Sequence, residues 1–177
     1  MQIPAEFSIS LPMNAEAAHL IRKFGLAPLP GEGGFFARTW TGGTAGAGAR
    51  PAGSAILFLM TEKDFSALHR LRTDEVWHFH AGDPAELVRL DPLSKACLIT
   101  ILGPDLEGGH APQAVARAGE WQGARIVPSR PGAAHGWTLV GCTMAPGWSE
   151  EEFELGRRRD LERDFPAHRA IVRALTR

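Results

Sequence analysis

The sequence predicts a mainly β fold of antiparallel strands, arranged as a sandwich, barrel or jelly roll, on three observations. Short β-rich runs recur between turn signals from residue 54 to residue 144. No helix of ordinary length fits between them, so the strands must pair mainly antiparallel rather than through helical crossovers. At 177 residues the chain has the length of one domain with short terminal additions, so a single domain is predicted over 1–177.

The elements follow in chain order. Asn14 is a good N-cap, Ala17, Leu20, Ile21 and Phe24 repeat at helical spacing, and Gly25 suits the position after a helix, which predicts a short amphipathic helix over 15–24. Pro28, Pro30, Gly31, Gly33 and Gly34 then break the chain, and the aromatic run 35–40 reads as the first strand. Residues 42–53 are mostly Gly and Ala, bury little apolar surface and are predicted as a flexible surface loop. Further strands are predicted at 54–60, 65–71, 75–80, 85–90, 96–102, 114–117, 121–127 and 136–144, which puts the β region at about 33–146. After Pro146-Gly147-Trp148, Ser149-Glu150-Glu151-Glu152 reads as a capping box from which Phe153 and Leu155 enter a helix. Pro166 suits the first position of a last helix, on which Ile171, Val172 and Leu175 form one apolar face. The tail over 149–176 is therefore predicted as helices packed outside the β region.

Charge and motifs exclude several classes. Lys plus Arg is 19 against 20 for Asp plus Glu, a net charge of -1, so no basic field points to a nucleic acid or an anionic membrane. The N-terminus lacks a basic segment followed by an apolar run, and no stretch of about 18 apolar residues is present, which predicts a cytoplasmic protein that does not enter a membrane. Cys97 and Cys142, the two cysteines, then read as reduced, buried small hydrophobes rather than a disulfide. The glycines at 42–48 lack both the Lys-Ser/Thr ending and the helix of a phosphate loop.

The informative stretch runs from His69 through Glu75, Trp77, His78 and His80 to Gly82, two β runs joined by a short polar turn. Side chains alternate across a strand, so Glu75, Trp77 and Phe79 share one face and His78 and His80 the other. The large rings beside Glu75 mark that face as the pocket wall, which turns His78 and His80 toward a helix, another subunit or water. As an i, i+2 pair without a third ligand these two histidines read as interface or surface residues.

His69-x-Leu71-x3-Glu75-x6-Gly82 resembles the first motif of the cupins, His-x-His-x3-4-Glu-x6-Gly, with Leu71 in place of the second histidine. Arg117-Ala118-Gly119-Glu120-Trp121-Gln122 is similar in placement to the second, Pro-x-Gly-x2-His, with Arg117 for the proline and Gln122 for the histidine. Further runs narrow the resemblance: Glu32-Gly33-Gly34-Phe35-Phe36, Ser66-Ala67-Leu68-His69, Asp74-Glu75-Val76-Trp77-His78, Ala81-Gly82-Asp83-Pro84, Leu102-Gly103-Pro104-Asp105 and Gly141-Cys142-Thr143-Met144-Ala145-Pro146-Gly147. Together they resemble the fifth type of single-domain cupins, a domain of unknown function, over roughly residues 15–175. The resemblance implies an RmlC-like double-stranded β-helix, the jelly-roll barrel of dTDP-sugar 3,5-epimerases, usually dimeric. It brings no established reaction.

The resemblance also implies where chemistry would sit. Metal-dependent cupins hold their ion with three histidines and the glutamate, of which His69 and Glu75 remain. Two ligands are too few and Gln122 is a weak amide donor, so no native metal is favoured; a divalent ion would use His69, Glu75 and Gln122. His69 and Glu75, expected on adjacent inward-facing strands, are the catalytic candidates as a tuned acid/base pair. Phe36, Trp77 and Trp121 offer a stacking wall, Arg38 a cationic anchor, and Gln113 and Gln122 polar contacts to a small-molecule ligand, with Glu32 a further polar group at a barrel mouth. The leading functional reading is a metal-independent isomerase or epimerase acting on a sugar-like or nucleotide-like molecule. Its alternatives are a non-catalytic metabolite-binding or sensing cupin and a metal-dependent cupin enzyme. An exposed sheet edge completed by a second copy predicts a homodimer.

Overall fold

The structure, a computed structural model, describes residues 14–43, 50–126 and 135–177. Helix α1 spans Ala15–Phe24; the Asn14 side chain accepts from the Glu16 amide at 2.8 Å, and Gly25, at φ +62°, closes the helix. Eleven strands follow among the described residues: β1 Ala27–Pro28, β2 Phe35–Thr41, β3 Ser54–Thr61, β4 Ser66–Leu71, β5 Glu75–Gly82, β6 Ala85–Leu90, β7 Cys97–Leu102, β8 Gln113–Ala116, β9 Trp121–Ile126, β10 Trp137–Met144 and β11 Phe153–Leu155. The chain ends in helices α2, Arg158–Asp164, and α3, Arg169–Ala174. Residues 44–49 of the loop expected over 42–53 and Val127 of the strand expected over 121–127 lie outside the described residues. The described ends of that loop are paired: Gly42 N–H donates to Gly53 at 2.8 Å and Ala52 N–H to Gly43 at 2.9 Å.

The strands form two antiparallel sheets facing each other, one of six in the order β1-β2-β3-β10-β5-β8 and one of five in the order β11-β4-β9-β6-β7. Alternation sorts their side chains. Phe58 and Met60 of β3, Trp77 of β5, Leu87 of β6 and Val140 of β10 meet between the sheets. Their neighbours Leu57, Leu59 and Leu139 face outward, where Leu20, Ile21 and Phe24 of α1 cover them. On the other side Leu68, Val88, Leu90 and Trp121 face outward under Leu161, Phe165, Val172 and Leu175 of the tail.

Two local features depart from the sequence expectation. Ser149 makes no side-chain cap; one 3-10 turn at Glu150–Glu152 leads instead into β11, so Phe153 and Leu155 are in a strand rather than a helix. The open edge of β4 supplies the backbone partners, with Glu154 opposite Arg70 and Leu155 opposite His69, which a helix at this position would leave unpaired. In β5 the register against β10 slips between Leu139 and Val140, leaving His80 without a cross-strand partner. The bulge lets Ala81 join the face packed on α1 while Glu75, Trp77 and Phe79 keep facing inward. Gly82, at φ +93°, ends the strand where a Cβ would overlap the Trp137 carbonyl oxygen, so glycine is required there.

Candidate functional site

Strands β4 and β5 belong to different sheets, and the turn at 72–74 carries the chain from one to the other. His69 and Glu75, on consecutive inward-facing strands, therefore face each other across the barrel interior from two sheets. Both are buried. They line a recess of about 60 Å³ with Leu71 and Trp77. The recess opens into a cleft of about 290 Å³ that shares the walls Glu32, Glu75, Cys142 and Trp148 and extends past Phe36 to the exposed Arg38 and Glu150 at the rim.

Hydrogen bonds orient every polar group at the inner end. Nδ1 of His69 lies 2.9 Å from the Ala67 carbonyl oxygen, which can only accept, so Nδ1 carries a proton. Glu32 stands 3.8 Å from the same nitrogen, held by the Ser66 hydroxyl that donates to it at 2.7 Å. The Phe153 ring stacks on the imidazole at 5.3 Å between centroids. Across the recess, Trp77 Nε1–H donates to Oε1 of Gln122 at 2.9 Å, and Nε2 of Gln122 donates to Glu75 at 2.7 Å. Burial raises the Glu75 carboxyl from its ordinary 4.5 to about 7, with nearby His69 pulling it down and Glu32 pushing it up. Burial, reinforced by Glu75 and Glu32, pushes the Cys142 thiol well above its ordinary range, so it stands in the wall as a neutral thiol rather than a nucleophile.

These bonds also test the residues against a cupin-type metal. Gln122 turns its oxygen to Trp77 and its N–H to Glu75, and Leu71 offers no donor atom, so the pair that would complete a four-ligand set presents none toward the recess. Among the described residues no group of three or more His, Cys, Asp or Glu is placed to hold an ion. The donor set does not fit the metal that the cupin fold implies.

The remaining candidates divide. Phe36, Arg38 and Trp77 line the cleft or its recess. Gln122 is buried behind Glu75 and acts through it. Trp121 lies outside the site, a correction that follows from its being next to Gln122 on β9: with Gln122 facing in, Trp121 faces out, between Leu161 and Phe165 with the Arg70 guanidinium 4.7 Å above its ring. Gln113 is exposed on β8 opposite His78, on the outer face of its sheet and away from the cleft. There His78 Nε2 lies 2.8 Å from the Thr143 hydroxyl, and His80 stands over Gly141. Sequence reasoning missed Trp148 and Phe153 in the wall; the Phe-Glu-Leu alternation at 153–155 was the available strand signal. A wider groove of about 790 Å³ outside the barrel is bordered by the ion pairs Arg70–Glu154 and Arg163–Asp160. It brings neither His69 nor Glu75 to its surface, so we place the site in the barrel cleft.

Comparison with known proteins agrees with this architecture. The family model described as cupin superfamily (DUF985) matches residues 18–156. The chain is similar to protein SO0799 from Shewanella oneidensis, at 32% identity and a TM-score of 0.82 over 93% of this chain and 98% of that one. A hypothetical protein from Leishmania major is similar at 28% identity and a TM-score of 0.81, over 93% and 99%. A cupin 2 domain-containing protein from Halorhodospira halophila, at 17% identity and a TM-score of 0.53 over 84% and 86%, shares the fold alone. A search of curated proteins gave no match. With the jelly roll, the His69 to Gly82 motif and a family match over most of its length, the chain belongs to the DUF985 family of the cupin superfamily.

Proposed function

We propose that the protein is an acid/base isomerase or epimerase that works without a metal on a small, sugar-like molecule in the barrel cleft. The observation that carries this reading is that the His69 imidazole and the Glu75 carboxyl are buried around one recess, the carboxyl with a pKa of about 7 that suits proton transfer near neutrality. For an α-hydroxy carbonyl substrate, Nε2 of His69 takes the proton from carbon while Glu75 gives its proton to the carbonyl oxygen, forming an enediol. Glu75 then removes the proton from the other hydroxyl as His69 returns one to the former carbonyl carbon, which regenerates both groups. Glu32 and Ser66 steady the imidazolium formed between these steps. Gln122 and Trp77 hold Glu75 in place.

The test is proton exchange. Sugars, sugar acids, sugar phosphates and nucleotide sugars are incubated with the protein in D2O and followed by NMR for deuterium entering at carbon. We expect wash-in with wild type and a fall of at least 100-fold in His69→Ala and Glu75→Gln, the size expected for losing a general acid or base. Ligand binding without exchange in any class would instead make the chain a metabolite-binding cupin. We also propose a homodimer, supported by β7: Leu98 and Ile99 there are 50% and 51% exposed on a strand that pairs along its length only with β6 among the described residues.

A further inference from the structure

We infer that the ligand of the cleft is a short hydroxylated monocarboxylate that also carries an α-hydroxy carbonyl, with its carboxylate on Arg38 and its carbonyl end at His69 and Glu75. This rests on the acid/base reading above and narrows its substrate. Size is the first argument. The cleft holds about 290 Å³ and the recess about 60 Å³, at the lower limit of the ~300–1,000 Å³ typical of small-molecule sites. A recess of that volume, about two waters' worth, takes one small group such as a hydroxyl-bearing carbon. A nucleotide sugar, with base, ribose, two phosphates and hexose, would leave much of itself outside the cleft, past the exposed rim at Arg38 and Glu150.

Charge is the second argument. Arg38 is the one Lys or Arg among the described residues of the wall, against Glu32, Glu75 and Glu150. One guanidinium offers a single cationic contact, which matches the one charge of a carboxylate, whereas the second charge of a phosphate dianion would add to the repulsion from Glu32 and Glu150.

The third argument is the setting of Arg38 itself. Its guanidinium lies over the Trp148 ring at 5.3 Å, and none of the ion pairs among the described residues uses it. With no ion pair among the described residues to hold it, the guanidinium has N–H groups for the planar, two-oxygen geometry of a carboxylate. Phe36 and Trp148 give apolar wall to the C–H face of a short carbon chain, and Glu32 and Glu75 give acceptors for hydroxyls at the inner end.

Calorimetric titration of the full chain with glucuronate and hydroxypyruvate, with glucose, glucose 6-phosphate and UMP as comparison probes, tests this. We expect one of the two acids to bind, glucose to bind at least tenfold more weakly, and Arg38→Gln to weaken the acid at least tenfold while Arg38→Lys restores part of the loss. Arg38 is exposed, and thermal melting of each variant reports its folding separately. Tighter binding of glucose 6-phosphate or UMP, an unchanged affinity in Arg38→Gln, or no binding by either acid would overturn the inference. The two proposals fail separately. An acid that binds through Arg38 without deuterium exchange keeps the ligand class and sinks the acid/base reading, whereas exchange confined to a phosphate or nucleotide probe does the reverse.

Discussion

Burial holds the Glu75 carboxyl at about 7, so its proton binds more tightly in the folded chain than in the unfolded one, where the ordinary value is 4.5. The sign follows from linkage: the raised folded value favours the native state while the group is protonated, fully below about 4.5, and that contribution is lost as pH rises through about 7. Its size is on the order of 3 kcal/mol. In Glu75→Gln, an amide of the same shape with no proton to lose, urea unfolding at pH 4.5 and pH 8 should differ by ~3 kcal/mol less than in wild type. Equal pH dependence in the two proteins would show that Glu75 titrates normally. The residues around it were unequally legible. His69 and Glu75 stood in a recognisable spacing, while the role of Glu32 depends on Ser66 and on a 3.8 Å approach to His69 that joins positions far apart in the chain.

At the scale of the element, strand alternation explains both what was read and what was misread. Along β5 it put Glu75, Trp77 and Phe79 together, and the bulge at His80 came late enough to leave that set intact. Along β9 two neighbours, Trp121 and Gln122, were both assigned to the ligand, although a strand can turn only one of them inward. Trp121→Ala should therefore cost about 3–5 kcal/mol of stability in chemical denaturation, through the space it leaves under Leu161 and Phe165. Deuterium exchange and ligand affinity of the folded variant should match wild type, and a variant that kept its stability but lost exchange would return Trp121 to the site. β11 shows the opposite influence. Ser149 through Glu152 has the residue types of a helix start, yet the free edge of β4 offered its backbone a ladder and the ring of His69 a partner in Phe153. Tertiary pairing overrode the local signal.

For the whole molecule, the exposed apolar side chains of β7 carry the expectation of a dimer. Light scattering should give twice the 19.1 kDa chain mass, and Ile99→Lys, which places a charge on that half-exposed strand, should return the protein to monomer with its helix and strand content unchanged. A monomeric wild type would end this reading. Element positions were legible because periodicity and turn chemistry act within a few residues: α1 was read to both ends, and β6 likewise. The cupin motif spacing added the fold class, since Gly82 is required by its positive φ and by its approach to Trp137. By itself, then, the sequence determined a mainly β cupin, its helix α1 and the strand face that holds Glu75. Only the tertiary structure decided that His69 and Glu75 oppose each other from two sheets, that Gln122 bonds both Trp77 and Glu75, and that Trp148 and Phe153 close the cleft. The physical reason is range: alternation and capping are set by neighbours in the chain, whereas a cavity and the pKa of a buried carboxyl are set by groups that meet only when the sheets pack.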